Sequence, residues 1–95
     1  MKQYYIYIIS NNNANVLYIG ITSDLLKRIY QHKNKTIKGF SAKYNLTKLL
    51  YYEACNDVYV AISREKQLKN WHKDWKLNLI KSNNPYLSDL YPKLM

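Results

Sequence analysis

Side chains that can handle a phosphate group follow one another in the first third of the chain. Tyr7 and Tyr18 lie in two β-like segments, and Arg28 and His32 come next, one helical turn apart. A tyrosine hydroxyl can hold or move a proton, an arginine can grip a phosphate with two parallel hydrogen bonds, and a histidine can titrate near neutral pH. Their order and spacing indicate phosphate chemistry, although each side chain alone is more typical of a packed strand or an exposed helix surface.

A glutamate later in the chain occupies a position where an ordinary helix would place an apolar side chain. The segment 57–71 predicts a helix whose apolar stripe consists of Val58, Ala61, Ile62 and Leu68. On a helical wheel Glu65 falls about 20° from Val58, in the middle of that stripe. Buried glutamates are rare unless they are paired or coordinate a metal ion. Glu65 therefore needs a partner, either a metal ion or the Lys69 ammonium one turn later.

Basic residues outnumber acidic ones and are unevenly distributed. The net charge is +9, from fifteen Lys and Arg against six Asp and Glu, and residues 25–52 include seven basic side chains and no acidic one. Such a field favours a polyanionic partner, most commonly nucleic acid. An acidic membrane surface would require a clean amphipathic helix or a lipidation signal, and the sequence offers neither. Lysines that merely aid solubility are the simpler alternative.

The composition also limits the compartment and the kind of site. Cys55 is the only cysteine, so no intramolecular disulfide can form, and with only two histidines beside it a closed structural zinc site is not expected. The apolar run 4–9 is too short for a signal-peptide core or a membrane span. We expect a soluble cytoplasmic protein with no membrane partner, folded as one domain over residues 1–95.

Two strands, predicted over 3–9 and 16–20, must position the tyrosines. An asparagine-rich turn joins them, which makes a β-hairpin. If the turn is centred on the dipeptide Asn12-Asn13, whose side chains tolerate left-handed backbone, Tyr7 pairs directly with Tyr18 across the ladder. Both hydroxyls then share one face of the sheet, whereas a slip of one residue would separate them.

Helices and one further strand complete the predicted architecture. A helix over 24–33 begins at a capping signal and carries Arg28 and His32 on one side of its apolar stripe, at the lip of the core. That stripe consists of Leu25, Leu26 and Ile29. The remaining segments predict a turn or one helical turn at 41–45, a strand at 49–54 and helices at 57–71 and 74–81. The expected fold class is α+β, with a three-stranded antiparallel sheet flanked by helices.

Several blocks of sequence, taken in order, resemble the GIY-YIG nuclease superfamily and in particular its small single-domain branch. Tyr5-Ile6-Tyr7 stands where the first motif belongs, with Tyr5 in place of its glycine, and Tyr18-Ile19-Gly20 matches the second motif literally. The later blocks are Thr22–Leu25 with Arg28 and His32, Lys38–Tyr44, Tyr51–Glu53, Ala61–Lys69, and Asn84-Pro85 with Asp89-Leu90. The resemblance covers essentially the whole chain.

The resemblance implies a metal-dependent endonuclease that hydrolyses phosphodiester bonds in DNA, with Mg²⁺ or Mn²⁺ as cofactor. Glu65 would be the direct protein ligand of the metal, and Arg28 would hold the scissile phosphate and offset its charge. Tyr18 would orient or deprotonate the attacking water, with Tyr7 hydrogen-bonded nearby. His32 would either relay a proton or contact the phosphate.

A wider set of side chains is expected to bind nucleic acid. This set consists of Arg28, Lys33, Lys35, Lys38, Lys43 and Asn84. A chain of this size has no room for an appended specificity domain, so we expect it to recognise DNA by form, branched or single-stranded, in repair or recombination. Two alternatives stay open: a nucleic-acid-binding module of the same fold that does not cleave, and an interaction protein that uses its tyrosines as a contact surface. Trp71 and Trp75 are expected to anchor a core or an interface rather than to stack on bases.

Overall fold

A three-stranded antiparallel sheet lies between helices in the computed structural model, which describes residues 2–95. Its elements are β1 Tyr4–Ser10, β2 Leu17–Thr22, α1 Leu25–Lys33, α2 Phe40–Lys43, β3 Lys48–Cys55, α3 Val58–Asn70, α4 Lys73–Asn83 and a closing 3₁₀ turn at Tyr91–Leu94. The strand order is β2-β1-β3, and both strand pairs are antiparallel. The predicted α+β fold class is confirmed.

β1 is the middle strand, and its side chains enter two cores on opposite faces of the sheet. Ile6 and Ile8 contribute to a core with α3 and α4, through Ala61, Leu68 and Ile80. Tyr7 and Ile9 contribute to a core with α1, through Leu25 and Ile29, and with Leu46 and Leu49. Alternate residues of a strand point to opposite faces, which explains this division. Tyr7 therefore lies on the α1 face of the sheet, where it is only 1% exposed.

The register of the hairpin differs from the predicted one. Tyr7 pairs with Gly20, and Tyr18 pairs with Ile9, so the predicted direct pairing of Tyr7 with Tyr18 is wrong. The displacement is two residues along β2. Because side chains alternate with a period of two, Tyr7 and Tyr18 still lie on the same face, as diagonal neighbours.

A turn centred one residue later than predicted causes this displacement. The side-chain oxygen of Asn11 accepts hydrogen bonds from the backbone N–H groups of Asn15, at 2.9 Å, and Val16, at 3.1 Å. Ala14 takes the left-handed conformation, with φ of 56°, and its N–H donates to the Asn11 carbonyl. This asparagine cap stabilises a turn that is displaced from Asn12-Asn13. Several neighbouring asparagines favour turns equally, so the sequence alone could not show which of them would form the cap.

Aspartate caps fix the starts of the two helices that carry the candidate site. Asp24 accepts from the Lys27 N–H at 3.1 Å at the start of α1, and Asp57 accepts from the Tyr59 N–H at 2.8 Å at the start of α3. The predicted helices are therefore present, with bounds that differ by one or two residues. Two expected core residues are instead exposed, namely Leu26 at 43% and Ile62 at 37%.

α3 is fastened to β3 by an ion pair between a glutamate and an arginine. The guanidinium of Arg64 donates from Nε to both oxygens of Glu53 at 3.0 Å, and from Nη2 to Oε2 at 2.8 Å. The Tyr51 hydroxyl donates to the same carboxylate at 2.7 Å. Burial alone would raise the pKa of Glu53, but the hydrogen bonds from Arg64 and Tyr51 outweigh it and lower the pKa. This pair fixes the position of α3 against the sheet.

The two tryptophans lie at the junction of α3 and α4. Trp71 is partly buried against the first core, as predicted, and the Arg64 guanidinium lies 5.4 Å from its ring centroid. Trp75 contacts Trp71 edge to face at 6.0 Å but is 55% exposed, so the described residues do not bury it in a core. Across residues 2–95, none of the helices has the length and apolar character needed to cross a membrane.

Candidate active site

The centre of the candidate site is the Tyr7 phenol, which lies across the backbone of β2 at Gly20. A Cβ added to Gly20 would come within 2.8 Å of Tyr7 Cε2 and closer still to the hydroxyl oxygen. Only glycine therefore leaves room for the Tyr7 ring. The motif Tyr18-Ile19-Gly20 needs its glycine because a side chain would overlap the Tyr7 ring. The backbone conformation does not require glycine, since the φ of Gly20 is not in the left-handed region.

Substituting Gly20 by alanine is expected to destabilise the protein by about 1–3 kcal/mol, because the added methyl overlaps the Tyr7 ring and forces it to move. Urea unfolding measures the loss. In a Tyr7→Ala background the ring is absent, so Gly20→Ala should cost much less there. Equal costs in the two backgrounds would show that the Tyr7 ring does not need this space.

His32 links Tyr7 to a serine that the sequence did not single out. His32 Nε2 lies 2.9 Å from the Tyr7 hydroxyl, and Nδ1 lies 3.0 Å from the Ser41 Oγ. His32 is only 4% exposed, so it is not a residue of an exposed helix surface. It also lies deeper in the protein than the predicted position at the edge of the core. Burial, with a smaller effect of the Arg28 charge, lowers the pKa of His32 to about 4. His32 is therefore neutral near pH 7, with both ring nitrogens occupied.

The buried neutral His32 predicts a loss of stability in mild acid. Its pKa is about 4 when folded against 6.5 as a free side chain, so the unfolded chain takes up the proton first as the pH falls. The contribution is complete above pH 6.5 and is lost as the pH falls towards 4. Between these limits we expect the free energy of unfolding to fall by roughly 2–3 kcal/mol.

Urea unfolding across this pH range, compared between the wild type and His32→Gln, measures the effect. The glutamine variant has no titratable side chain at position 32, so its free energy of unfolding should lose most of this dependence on pH. His72→Gln is the matched control, because His72 is exposed and should retain the wild-type slope. A slope that survives in His32→Gln would contradict the assignment.

Arg28 and Tyr18 complete the polar surroundings of the Tyr7 hydroxyl. Burial raises the pKa of Tyr7 to about 12, although the neighbouring Arg28 side chain works in the opposite direction. The Tyr18 ring meets the His32 ring edge to face, with centroids 6.1 Å apart. Tyr7 is therefore a protonated phenol near neutral pH, and the structure brings the predicted residues Tyr7, Tyr18, Arg28 and His32 together.

Glu65 approaches the same hydroxyl from α3. Its negative charge contributes to the raised pKa of Tyr7, so its carboxylate lies within electrostatic range of that hydroxyl. The Glu65 side chain is 16% exposed, and Lys69 Nζ lies 3.4 Å from one of its oxygens. The lysine partner considered from the sequence is therefore present. Lys69 is half-exposed and can move away, which would leave the exposed part of the carboxylate accessible to another cation.

The donor set at Glu65 suits a hard cation that keeps part of its water shell. Within residues 2–95, no three side chains of His, Cys, Asp or Glu are grouped so that they could hold one metal ion. A closed protein cage is thus not available there, whereas Mg²⁺ commonly binds through one or two carboxylates and retains several waters. A single accessible carboxylate beside a polar site fits that ion.

Lys33, predicted to bind nucleic acid, is instead engaged within the protein. Its ammonium donates to the Thr47 carbonyl at 2.8 Å, forms an ion pair with Asp89, and lies 5.0 Å from the Tyr91 ring centroid. Burial would raise the pKa of Asp89, but hydrogen bonds from Lys33 and from backbone N–H groups outweigh it and lower the pKa. Lys33 therefore fastens α1 to the C-terminal tail.

Asn84 is likewise structural rather than available to a ligand. It is 6% exposed, and its side-chain amide donates to the Leu50 carbonyl at 3.0 Å and to the Ser88 carbonyl at 2.8 Å. Its oxygen accepts from the Ser88 N–H at 3.1 Å. Asn84 therefore joins the tail to β3.

The other predicted lysines lie on the loop and the short helix beside the site. Lys35 is exposed and donates to the Asn45 side chain, and Lys38 and Lys43 are also exposed. Between them the structure reveals an aromatic row that the sequence analysis did not identify: Tyr18, Phe40 and Tyr44. The Tyr18 and Phe40 centroids are 6.3 Å apart, and the Phe40 and Tyr44 centroids are 4.7 Å apart.

The aromatic row stays on the surface. Phe40 is 49% exposed and Tyr44 is 41% exposed. Both belong to the block Lys38–Tyr44, in which the sequence had suggested a role for the two lysines but none for the two rings. The path of the loop before α2 brings this block to the site, and Gly39 permits that path with φ of 122°, a value that side chains rarely allow.

A β-hairpin and the helix that follows it bring a phenol, a guanidinium and an imidazole together, and a glutamate on a later helix lies within electrostatic range of that phenol. Fold and site together define a GIY-YIG domain. The chain belongs to the GIY-YIG family, since the family model described as the GIY-YIG catalytic domain matches residues 3–78. Members of this family are usually nucleases, which implies a nucleic-acid substrate.

Relatives from bacteria and a virus extend the match over most of the chain. The UPF0213 protein SSP2268 of Staphylococcus saprophyticus is 34% identical over 84 residues, covering 84% of this chain and 96% of its own length. The UPF0213 protein CPE1444 of Clostridium perfringens is 37% identical, covering 84% of this chain and 85% of its own length. The UPF0213 protein in the VLF1-GP41 intergenic region of Autographa californica nuclear polyhedrosis virus is 40% identical, covering 85% and 79%.

A solved structure shares the fold. The solution NMR structure of the UPF0213 protein BH0048 from Bacillus halodurans superimposes with a TM-score of 0.58. The match covers 92% of each chain at 20% sequence identity. The arrangement of sheet and helices is thus common to both proteins.

Proposed function

We propose that this protein is a divalent-metal-dependent endonuclease that hydrolyses phosphodiester bonds in DNA. The observation that supports this proposal best is the convergence on the Tyr7 hydroxyl of His32 at 2.9 Å, the Arg28 guanidinium and the Glu65 charge. A protein that only bound nucleic acid would need surface charge. It would have no need of a mostly enclosed carboxylate beside a buried phenol.

Arg28 binds the scissile phosphate in this proposal. A guanidinium can donate two parallel hydrogen bonds to a phosphate and offset the charge that grows on it in the transition state. The chain contains two arginines against thirteen lysines, and the other arginine, Arg64, is already committed to Glu53. Arg28 is therefore the arginine available for a phosphate.

The two tyrosines take different parts. Tyr7, with a pKa of about 12, stays protonated near neutral pH and acts as a hydrogen-bond donor. Tyr18 is less buried, so it is the tyrosine that can meet and orient an attacking water. Both nitrogens of His32 are occupied by Tyr7 and Ser41, so His32 holds Tyr7 in place rather than contacting the phosphate.

Glu65 would hold the Mg²⁺ or Mn²⁺ ion through one carboxylate. The ion, when bound, would supply positive charge that stabilises the leaving oxygen. Lys69 would have to give up its contact with Glu65, which costs little because the Lys69 side chain is 49% exposed and pairs one helical turn apart contribute only a few tenths of a kcal/mol. Lys69 thus orients the carboxylate without blocking it.

The form of DNA follows from the aromatic row of Tyr18, Phe40 and Tyr44. Exposed rings flanked by positive charge are typical of surfaces on which unpaired bases stack. The row includes Tyr18, and the ammonium of Lys43 lies 5.5 Å from the Tyr44 ring centroid. An unpaired strand running along this row would bring its phosphate towards Arg28. We therefore propose that the substrate contains a single-stranded segment, either free or at a branch.

Replacing Phe40 with leucine should weaken binding to single-stranded DNA by roughly 5- to 150-fold, because one base loses its stacking partner and stacking contributes about 1–3 kcal/mol. Fluorescence anisotropy with a labelled oligonucleotide measures this. Tyr86→Leu is a matched control, since Tyr86 is 90% exposed but is not part of the row. Equal affinities of the Phe40 variant and the wild type would show that the aromatic row is not part of the DNA-binding surface.

Incubation with single-stranded, branched and duplex DNA, each with Mg²⁺ or with a chelator, tests the proposed function. We expect cleavage of the first two substrates in Mg²⁺ and none in chelator. Salt-sensitive binding of every substrate without products, in Mg²⁺ and in Mn²⁺, would support the non-catalytic module instead. A complex with a protein partner that is insensitive to salt, without affinity for DNA, would support the interaction protein.

A further inference from the structure

We infer that Ser41 is a positioning residue, which fixes the tautomer of His32 and thereby directs the Tyr7 hydroxyl proton towards the bound phosphate. The part of this inference that concerns cleavage rests on the proposed function. The tautomer itself does not depend on it and can be measured without any substrate.

Ser41 lies at the second position of α2, on the side of His32 away from Tyr7. It is 5% exposed, and its Oγ lies 3.0 Å from His32 Nδ1. On the other side of the ring, His32 Nε2 lies 2.9 Å from the Tyr7 hydroxyl. Three side chains from α2, α1 and β1 thus form one continuous chain of hydrogen bonds, closed off from solvent at its Ser41 end.

Counting donors and acceptors decides the direction of this chain. A neutral imidazole has one N–H donor and one acceptor nitrogen, and a serine hydroxyl has one proton to donate. Among the side-chain hydrogen bonds of residues 2–95, the Ser41 hydroxyl takes part only in the one to His32. If Nδ1 carried the proton, the hydroxyl proton of Ser41 would be buried without an acceptor, which costs about 1–3 kcal/mol.

The satisfied arrangement therefore runs outward from Ser41. Its hydroxyl donates to Nδ1, the Nε2–H of His32 donates to the Tyr7 oxygen, and the proton of Tyr7 is left to donate elsewhere. Arg28 has no acceptor atom, and the Glu65 carboxylate, which is paired with Lys69, forms no hydrogen bond with Tyr7 among the side-chain bonds of residues 2–95. Burial keeps His32 neutral, with its pKa lowered to about 4, so this tautomer persists near neutral pH.

The direction matters for a phosphate substrate. In the outward arrangement Tyr7 presents an O–H to a phosphate oxygen or to the attacking water, which stabilises negative charge there. In the reverse arrangement Tyr7 would donate to Nε2 and present only lone pairs, which repel a phosphate oxygen. The buried hydroxyl of Ser41 thus determines whether Tyr7 donates a hydrogen bond to the phosphate or repels it with its lone pairs.

The tautomer can be read directly from nitrogen chemical shifts. In protein labelled with ¹⁵N-histidine, a long-range ¹H–¹⁵N correlation spectrum near neutral pH should show His32 protonated at Nε2. Ser41→Ala removes the donor to Nδ1 and should give a mixture of tautomers, whereas Ser41→Thr restores the hydroxyl and should restore Nε2–H. The exposed His72 serves as an internal reference in each spectrum. An Nδ1–H signal in the wild type, or an unchanged tautomer in Ser41→Ala, would overturn the inference.

Cleavage kinetics supply the second readout. Ser41→Ala should lower kcat by roughly 10- to 100-fold, as is usual when a partner that orients a reacting group is lost, with little change in KM. Ser41→Thr should recover most of the rate. A shifted tautomer with an unchanged kcat would refute the positioning role. A wild type that cleaves nothing would count against the proposed function, while the spectrum would still decide the tautomer.

Discussion

Replacement of Glu65 by glutamine is expected to lower the rate of DNA cleavage by on the order of 1,000-fold, because the proposed metal site would lose its carboxylate ligand. Metal ions contribute several kcal/mol to such transition states, and each 1.36 kcal/mol is about tenfold in rate. Glutamine keeps the shape of the side chain, and the pair with Lys69 contributes little to stability. The fold should therefore survive while the chemistry fails.

Two readouts separate the loss of metal from a loss of structure. Calorimetric titration with Mn²⁺ should detect binding to the wild type and none to Glu65→Gln, while thermal unfolding of the two proteins should be similar. Asp74→Asn is the matched control, because it removes one carboxylate from the exposed first turn of α4. If Glu65→Gln bound Mn²⁺ as tightly as the wild type, Glu65 would not be the metal ligand.

Replacement of Arg28 by lysine should lower kcat by roughly 100- to 1,000-fold while DNA affinity changes little. Lysine keeps the positive charge but not the planar fork that donates two hydrogen bonds to one phosphate. Losing one such donor from a preorganised site costs about this much. General affinity for DNA depends on the whole basic surface, to which the remaining lysines still contribute.

The second arginine of the chain provides the matched control for this change. Arg64→Lys alters the same chemistry at the ion pair with Glu53, where it should lower the melting temperature without lowering the rate of the folded protein. Single-turnover cleavage and anisotropy on the same oligonucleotide measure rate and affinity. If Arg28→Lys lost affinity and rate in equal proportion, Arg28 would be one more general DNA contact rather than the grip on the scissile phosphate.

The sequence predicted the parts of the site that depend on local pattern. Strand alternation placed Tyr7 and Tyr18 on one face, and that result withstood a shift of two residues because the pattern repeats every two. Helical periodicity placed Glu65 on the partly buried side of α3. The α+β class followed in the same way, from the order and length of the segments.

Interactions between distant parts of the chain could not be read in this way. His32 became part of the buried stripe of α1 only because Tyr7, 25 residues earlier, supplies a hydrogen bond inside the core. Lys33 forms an ion pair with Asp89, 56 residues later, and the Asn84 amide donates to the Leu50 carbonyl. No local propensity specifies such pairings, which depend on how the tail closes over the sheet.

Ser41 illustrates the same limit at shorter range. It lies nine residues after His32, across a loop whose path depends on the left-handed Gly39. A serine in a four-residue helix has no distinguishing pattern, and its partner became visible only once the loop was placed. The aromatic row escaped notice for the same reason, since Tyr18 and Phe40 meet only in the folded chain.

Single-turnover cleavage of one labelled oligonucleotide in excess Mg²⁺, by the wild type, Arg28→Ala and Glu65→Ala, tests the central claim most directly. If Arg28 and Glu65 serve one phosphodiester-cleaving site beside Tyr7, the wild type cuts the strand, chelator abolishes the cut, and each variant leaves it essentially intact. Cleavage that survives both substitutions would contradict the account.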